Sequence, residues 1–231
     1  MQSSKINEAD SPIAWQGGNG LLRHLDEICD GSMPPGTQLV QEELAAQLGV
    51  SRQPVQQALA RLKGNRLLEE APGRGLCVPI LDLSRMRLHY EIRSGLDQLA
   101  ARLAATRVSK GSLDQRTIEK QGESIIAAGR RAVSRESFVE MIRSGIEFHS
   151  FVYSISGNEL IEGTAEIHWL YFRRVMGDVL RHAQSPPSIW EQHEEILQAI
   201  LSGEPSLAVA LAAKHIEDAS EALASVLQEE S

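Results

Sequence analysis

The stretch that decides the fold runs over residues 42–66. It reads EELAAQLGV (42–50), then SRQPVQQALARLKGNR (51–66). In the first piece Leu44, Ala45 and Leu48 recur at helical spacing on one face. Gly49 ends that helix, because glycine accepts the left-handed conformation of a C-cap. Val50 can plug the corner that follows. Ser51 fits an N-cap for a second helix, and Pro54 falls in its first turn, where a missing N–H costs nothing. Val55, Ala58, Leu59 and Leu62 form the buried stripe of this second helix. Two short helices joined by a three- or four-residue turn make a helix-turn-helix, whose second helix enters a DNA major groove.

The outward face of the second helix carries the matching chemistry. Arg52, Gln53, Gln56 and Gln57 lie at or near its N-terminal end. Arginine pairs bidentately with guanine and glutamine with adenine. Arg61, Lys63 and Arg66 follow with no acid among them, as phosphate contacts require. The competing reading is an ordinary helical hairpin with a solvated polar face. After Arg66 comes LLEEAPGRGLCVPIL. Leu67 and Leu68 read as a strand, Pro72-Gly73-Arg74-Gly75 as a tight turn, and residues 76–80 as a returning strand. A hairpin directly after a recognition helix is a wing. Its tip presents Arg74 to the minor groove or backbone, and Gly75 lets the chain approach DNA closely. The alternative for Arg74 is a solvated turn arginine.

Composition bounds the rest. With 231 residues, 42% of them hydrophobic and 23% charged, the chain has room for one large or two small soluble domains. No apolar run approaches a membrane span, and the N-terminus lacks a basic start followed by an apolar core, so a cytoplasmic protein is expected. Cys29 and Cys77 form no CxxC pair and read as buried thiols. A net charge of −8 argues against nucleic acid at first sight. Yet residues 51–68 hold Arg52, Arg61, Lys63 and Arg66 and no carboxylate, while acids gather elsewhere, as in Glu191, Glu194 and Glu195. A local basic face on an acidic body still binds DNA, with strong salt dependence.

The predicted fold is mostly α. A polar tail at residues 1–12, read as disordered, precedes a winged helix-turn-helix over 13–80. Its first helix carries Leu21, Leu22, Leu25 and Ile28, and a short extended piece covers Thr37, Leu39 and Val40. Residues 81–83 read as a linker, and 84–231 as an all-α six- or seven-helix bundle. The helices expected there run over about 83–106, 112–133, 136–156, 159–183, 189–201 and 205–228. The helix over 112–133 is expected to be exposed and weak, because it carries several glycines and charges. Three histidines, His149, His193 and His215, fall on separate helices of the bundle. Converging in a core, they suit a divalent transition metal such as zinc or nickel. The alternative is one core histidine and two surface ones. His89, His168 and His182 read as surface or boundary residues. Arg93, flanked by apolar positions on the first bundle helix, reads from its spacing as a helix-surface salt bridge with Asp97, four residues on.

PPGTQL, the LA…LGVSR block, PV..AL.RL and P.RG..V occur in order over residues 21–78. In these motifs the chain resembles the N-terminal winged helix of the GntR family of bacterial transcription regulators. The family pattern carries an arginine after PV where this chain has Gln56, so Arg52 carries over as a contact residue and Gln56 as an altered one. The helical part resembles the ligand-binding FCD domain of the FadR subfamily. That resemblance implies a pattern D...H on one helix, then a histidine opening the fifth helix and another on the last. His149, His193 and His215 match the three histidines. The aspartate position is Gly145 here, which leaves three histidines plus water or ligand, and Glu147 points off that face. The resemblance also implies that Arg93 faces an effector cavity, where its guanidinium grips a carboxylate bidentately. Arg173 and Arg174 sit beside Trp169 and Tyr171, and one of them is expected to face that cavity; the sequence does not choose between them, and Arg174 is the working candidate.

The expected protein is therefore a homodimeric regulator rather than an enzyme. It binds a pseudo-palindromic double-stranded operator through Ser51, Arg52, Gln53, Gln56, Gln57, Arg61, Arg74 and Gly75, and a small carboxylate effector in the bundle. Two competing readings stay open: a regulator with a degenerate effector site, and a metal-dependent enzyme fused to a nucleic-acid anchor.

Overall fold

A computed structural model describes residues 33–182 and 188–229. The expected tail, the expected first helix, Cys29 and the side chain of His182 lie outside the described residues. The described residues fall into two compact units, divided between Ile80 and Leu81.

In the first unit, strand β1 (Gln38–Leu39) leads to helices α1 (Gln41–Leu48) and α2 (Arg52–Gly64), then strands β2 (Glu69–Glu70) and β3 (Leu76–Cys77). The sheet order is β1-β3-β2, all antiparallel, with Gln38 opposite Cys77 and Glu70 opposite Leu76. Leu44 and Ala45 of α1 meet Val55, Ala58, Leu59 and Leu62 of α2 in a core closed by Leu39, Leu67, Leu68 and Val78. Gly49 adopts φ 64°, and the amide of Val50 bonds back to the Ala45 carbonyl at 3.1 Å, which closes α1 as expected.

Three local expectations change. Ser51 occupies the N-cap position of α2 in extended geometry, but its hydroxyl makes no capping hydrogen bond. Leu67 and Leu68 are not strand. The Leu67 amide bonds to the Leu62 carbonyl at 2.9 Å, so it finishes α2 instead of joining a ladder, and both leucines become core under the hairpin. The returning strand is correspondingly short. Lys63 is not an open cation, since its ammonium lies 2.7 Å from Glu70 Oε1 across the helix–hairpin junction.

The second unit is built from α3 (Leu83–Ser109), α4 (Gln115–Ser134), α5 (Phe138–Ser156), α6 (Glu159–His182), α7 (Ser188–Leu201) and α8 (Pro205–Glu229). Asp82 caps α3, accepting from the amides of Ser84 at 2.9 Å and Arg85 at 3.3 Å. The central helix is α3, which packs against α5, α6, α7 and α8. Its Ala100, Ala101, Ala104 and Ala105 are all fully buried, and such small side chains let neighbouring helices come close. Arg107 of α3 reaches the Ile155 carbonyl at 2.8 Å and so secures the end of α5. No described helix is long and apolar enough to cross a membrane.

Helix α4 is not the exposed, weak element that its glycines suggested. Ile118, Ile125, Ile126 and Ala132 are buried, and Gly122 and Gly129 share their face. A Cβ on Gly122 would lie 2.6 Å from Leu197 of α7, and one on Gly129 would collide with the Trp190 indole. These glycines are contact points, at some cost in helix propensity. Gly129→Val should therefore lower the unfolding free energy by about 1–3 kcal/mol through overpacking. Gly163→Ala, where a Cβ meets nothing within 4 Å, should be neutral or raise it by about 0.5–1 kcal/mol. Urea unfolding of the two variants checks the contrast.

Candidate functional site

The first candidate surface is the outer side of α2. Burying Val55, Ala58, Leu59 and Leu62 turns Arg52, Gln53, Gln56, Gln57 and Arg61 outward, and all five are exposed, as is Ser51. Arg74 is exposed in the turn between β2 and β3. Gly75 beside it has φ 88°, and a Cβ there would sit 2.6 Å from the Leu39 carbonyl oxygen. The sheet itself therefore demands glycine at this position, whatever the hairpin contacts.

An acid joins the two arginines. Arg74 lies 3.1 Å from Glu42 Oε2, and Arg52 lies 3.8 Å from Glu42 Oε1. Glu42 is on α1, so one carboxylate links the first helix, the start of the second and the hairpin. Its pKa is held low, first by a backbone hydrogen bond and then, against some desolvation, by the two arginines. In the sequence Glu42 is only one of many acids, and nothing in its spacing announces this contact.

The second candidate site is inside the bundle. His149 from α5, His193 from α7 and His215 from α8 are all buried, and ligand-capable nitrogens of the three lie within 4.8 Å of one another. His193 Nε2 and His215 Nε2 are 3.2 Å apart. Two nitrogens on one tetrahedral ion, each about 2.05 Å from it, stand about 3.3 Å apart, so this pair fits a zinc-type ion. The tautomer of His215 follows from its surroundings. Lys214 holds Asp218 at 2.8 Å, Asp218 accepts from the Gln192 amide nitrogen at 2.6 Å, and Gln192 Oε1 is thereby aimed at His215 Nδ1, 2.9 Å away. Nδ1 must donate, which leaves the Nε2 lone pair facing the other histidines.

Helix α3 supplies the charges. Arg93 and Asp97 are 5% and 4% exposed, so their pairing is buried rather than a surface bridge. Asp97 Oδ1 is 2.8 Å from His149 Nδ1, and Arg93 NH2 is 2.6 Å from His149 Nε2. Arg93 Nε stands 3.3 Å from Asp97 Oδ2, an ion pair whose angles leave neither atom with a proper hydrogen bond. Asp97, Ala101, Phe148, His149, Ile196 and His215 wall a small cavity here. Trp169 Nε1, buried nearby and 5.2 Å from the Arg93 guanidinium by its ring, has no hydrogen-bond partner among the described residues.

Of the two arginines on α6, Arg174 is the buried one at 1% exposure, while Arg173 is half-buried. Arg174 is not among the walls of that cavity. Gly145 lies one turn before His149, and a Cβ on it would meet nothing within 4 Å. His89 and His168 are half-buried boundary residues, as expected, and they meet each other. Their Nδ1 atoms are 2.9 Å apart, and His89 stacks on Tyr171 at 4.1 Å. Burial first, then His168 and Arg85, bring His89 down to about 4. Gln192 and Glu42 are residues that sequence reasoning missed, and Asp97, read only as a surface partner of Arg93, is buried against His149 instead. Only Asp97 left a signal, as an acid one turn from Arg93 in an apolar helix.

Residues 89–218 match the profile of the FCD domain, and residues 23–78 match that of the bacterial regulatory proteins of the gntR family. The HTH-type transcriptional repressor RspR of Escherichia coli (strain K12) is 26% identical over 197 residues, which is 85% of this chain and 84% of that protein. The Nta operon transcriptional regulator of Aminobacter aminovorans is 33% identical over 128 residues, 54% and 56% of the two chains. Among solved structures, E. coli McbR/YncC superposes with a TM-score of 0.74 at 20% identity, covering 91% of this chain and 97% of that one. A putative GntR transcriptional regulator from Rhodococcus sp. RHA1 gives 0.72 at 21% identity, covering 88% and 94%. At these identities the structural likeness speaks for the fold.

Burial lowers the pKa of all three pocket histidines. For His193 and His215 the fall is large, with the neighbouring histidines and then Arg93 adding to it, and for His149 burial outweighs the upward pull of Asp97. Each is neutral when folded and takes up a proton more readily when unfolded. Their contribution is complete above the unfolded value of about 6.5 and is lost as pH falls below it, by up to about 1.4 kcal/mol per pH unit for each histidine. Thermal unfolding between pH 7.5 and 5 should show the midpoint falling below pH 6.5. His193→Gln should flatten that fall.

Proposed function

The chain belongs to the gntR family of bacterial regulatory proteins, with an FCD domain following its DNA-binding domain, and from that we propose the working unit. It is a cytoplasmic homodimer that reads a pseudo-palindromic operator and takes a small organic acid into each helical unit. The observation that carries the DNA half is the exposed face of α2. There Arg52, Gln53, Gln56, Gln57 and Arg61 stand clear of the core, with Arg74 on the neighbouring hairpin. One such helix spans only a few base pairs, so two copies related by a twofold axis are needed to cover two half-sites.

The ligand half is supported by the burial of Arg93, Asp97 and three histidines together. Desolvating that many polar groups costs several kcal/mol unless something pairs with them, and a guanidinium suits a carboxylate bidentately. His149, His193 and His215 would hold a divalent metal such as zinc or nickel, which would supply a Lewis-acid contact for an acid's oxygen. Arg93 then fixes the far side of the same anion. Arg174, buried on α6 but not among the cavity walls, is a second cation for the anion only if the effector reaches past them. For regulation, the ligand must bind one dimer geometry better than the other, and the difference is the coupling free energy.

Selection from a pool of random duplexes supplies the preferred sequence, and Arg52→Ala is then measured on it. We expect the preference over random DNA to drop by about tenfold to a hundredfold, the worth of one bidentate base contact. An unchanged preference would remove Arg52 from the reading. Glu42→Gln should act in the opposite direction, tightening DNA binding about three- to tenfold at low salt, because a carboxylate no longer competes with phosphate for Arg52 and Arg74. For the ligand half, calorimetry of carboxylic acids with and without zinc or nickel should reveal saturable binding that disappears in Arg93→Ala.

A further inference from the structure

Both ring nitrogens of His149 are engaged. Nδ1 faces Asp97 Oδ1 at 2.8 Å, and Nε2 faces Arg93 NH2 at 2.6 Å. A carboxylate only accepts and a guanidinium only donates, so the neutral ring carries its proton on Nδ1 and its lone pair on Nε2. This is the tautomer that a metal-binding histidine needs, oriented by a carboxylate at the other nitrogen. The lone pair, however, is occupied by Arg93. An ion shared with His193 and His215 has to take His149 through Nε2, because Nδ1 is held by Asp97. Metal and guanidinium therefore compete for one pair of electrons.

We infer that His149 is a switched ligand: Asp97 holds its ring ready, and Arg93 covers the lone pair until a divalent cation takes it and releases the guanidinium toward the anion. The inference rests on the metal-binding part of the proposed function and adds an order of events to it. Arg93 keeps other support. Its guanidinium already lies 5.0 Å from the Phe172 ring, 5.2 Å from Trp169 and 5.6 Å from Tyr90, faces that go on holding a cation when its hydrogen bond to His149 is lost. Asp97 Oδ2 lacks a proper hydrogen bond and stands 3.3 Å from Arg93 Nε, so the ion pair survives the exchange. The consequence is positive coupling. Metal frees the group that grips the anion, and by linkage the anion tightens the metal by the same factor.

Zinc alone, titrated calorimetrically into the full-length chain at pH 7.5, tests this. Asp97→Asn should weaken zinc by about tenfold to a hundredfold, the usual loss when an orienting carboxylate is removed. Arg93→Gln should tighten zinc by about tenfold, since a competing positive charge leaves the site. The opposite signs are the readout. If Arg93 and Asp97 served only as a buried ion pair, breaking it from either side would weaken zinc in both variants. Weaker or unchanged zinc binding by Arg93→Gln overturns the inference while the proposed metal site stands. No zinc uptake by the unaltered chain removes both. Circular dichroism checks that each variant is folded. If either is not, nitrogen-15 NMR of His149 in the unaltered chain decides: zinc should shift Nε2 and leave Nδ1 protonated, and coordination through Nδ1 would falsify the switch.

Discussion

The bundle depends on one buried electrostatic chain, Arg93 to Asp97 to His149, laid across the contact between α3 and α5. A lone charge in that position would cost several kcal/mol, and the pair offsets the cost only while its hydrogen bonds hold. Burial alone would raise the carboxyl of Asp97. His149 first, then Arg93 and His215, pull it below its ordinary value, so it stays ionised. That ionised carboxylate orients His149, and the second chain through Lys214, Asp218 and Gln192 orients His215. Both imidazoles thereby present a lone pair inward. The core is organised around groups that leucine would replace at lower desolvation cost, which is the mark of a binding site in a helical bundle.

The DNA-binding unit is organised by a lighter constraint. Three two-residue strands make a sheet too small to stand alone, and the helices supply its core. Gly75 lets β3 pass close over the Leu39 carbonyl, while Glu42 ties the hairpin tip to the start of α2. The two arginines are thus held near one another by a shared carboxylate. That one carboxylate neutralises part of the positive charge that α2 and the hairpin present.

Helix periodicity made most of the architecture legible. The six bundle helices follow their apolar stripes and glycine stops to within a few residues, and α1 and α2 follow the motif that defines them. Where expectation and structure part, a contact outside the segment's own apolar pattern is responsible. Gly122 and Gly129 weaken α4 by propensity but admit Leu197 and Trp190 from α7. Leu67 has a strand-like sequence, yet its amide is taken by the end of α2.

By itself the sequence determined the local structure and the chemistry on offer: a polar recognition helix, a winged turn, and three histidines with an arginine on apolar helices. These depend on spacing within a few residues, which the chain carries in its own order. Only the tertiary structure decided which of those groups meet. It put Asp97 against His149 from 52 residues away, turned Gln192 so that His215 shows its lone pair, and chose Arg174 over Arg173 for the interior. The reason is geometric. A hydrogen bond needs atoms within about 3 Å and well aligned, and that precision comes from helix packing rather than from any one segment's sequence.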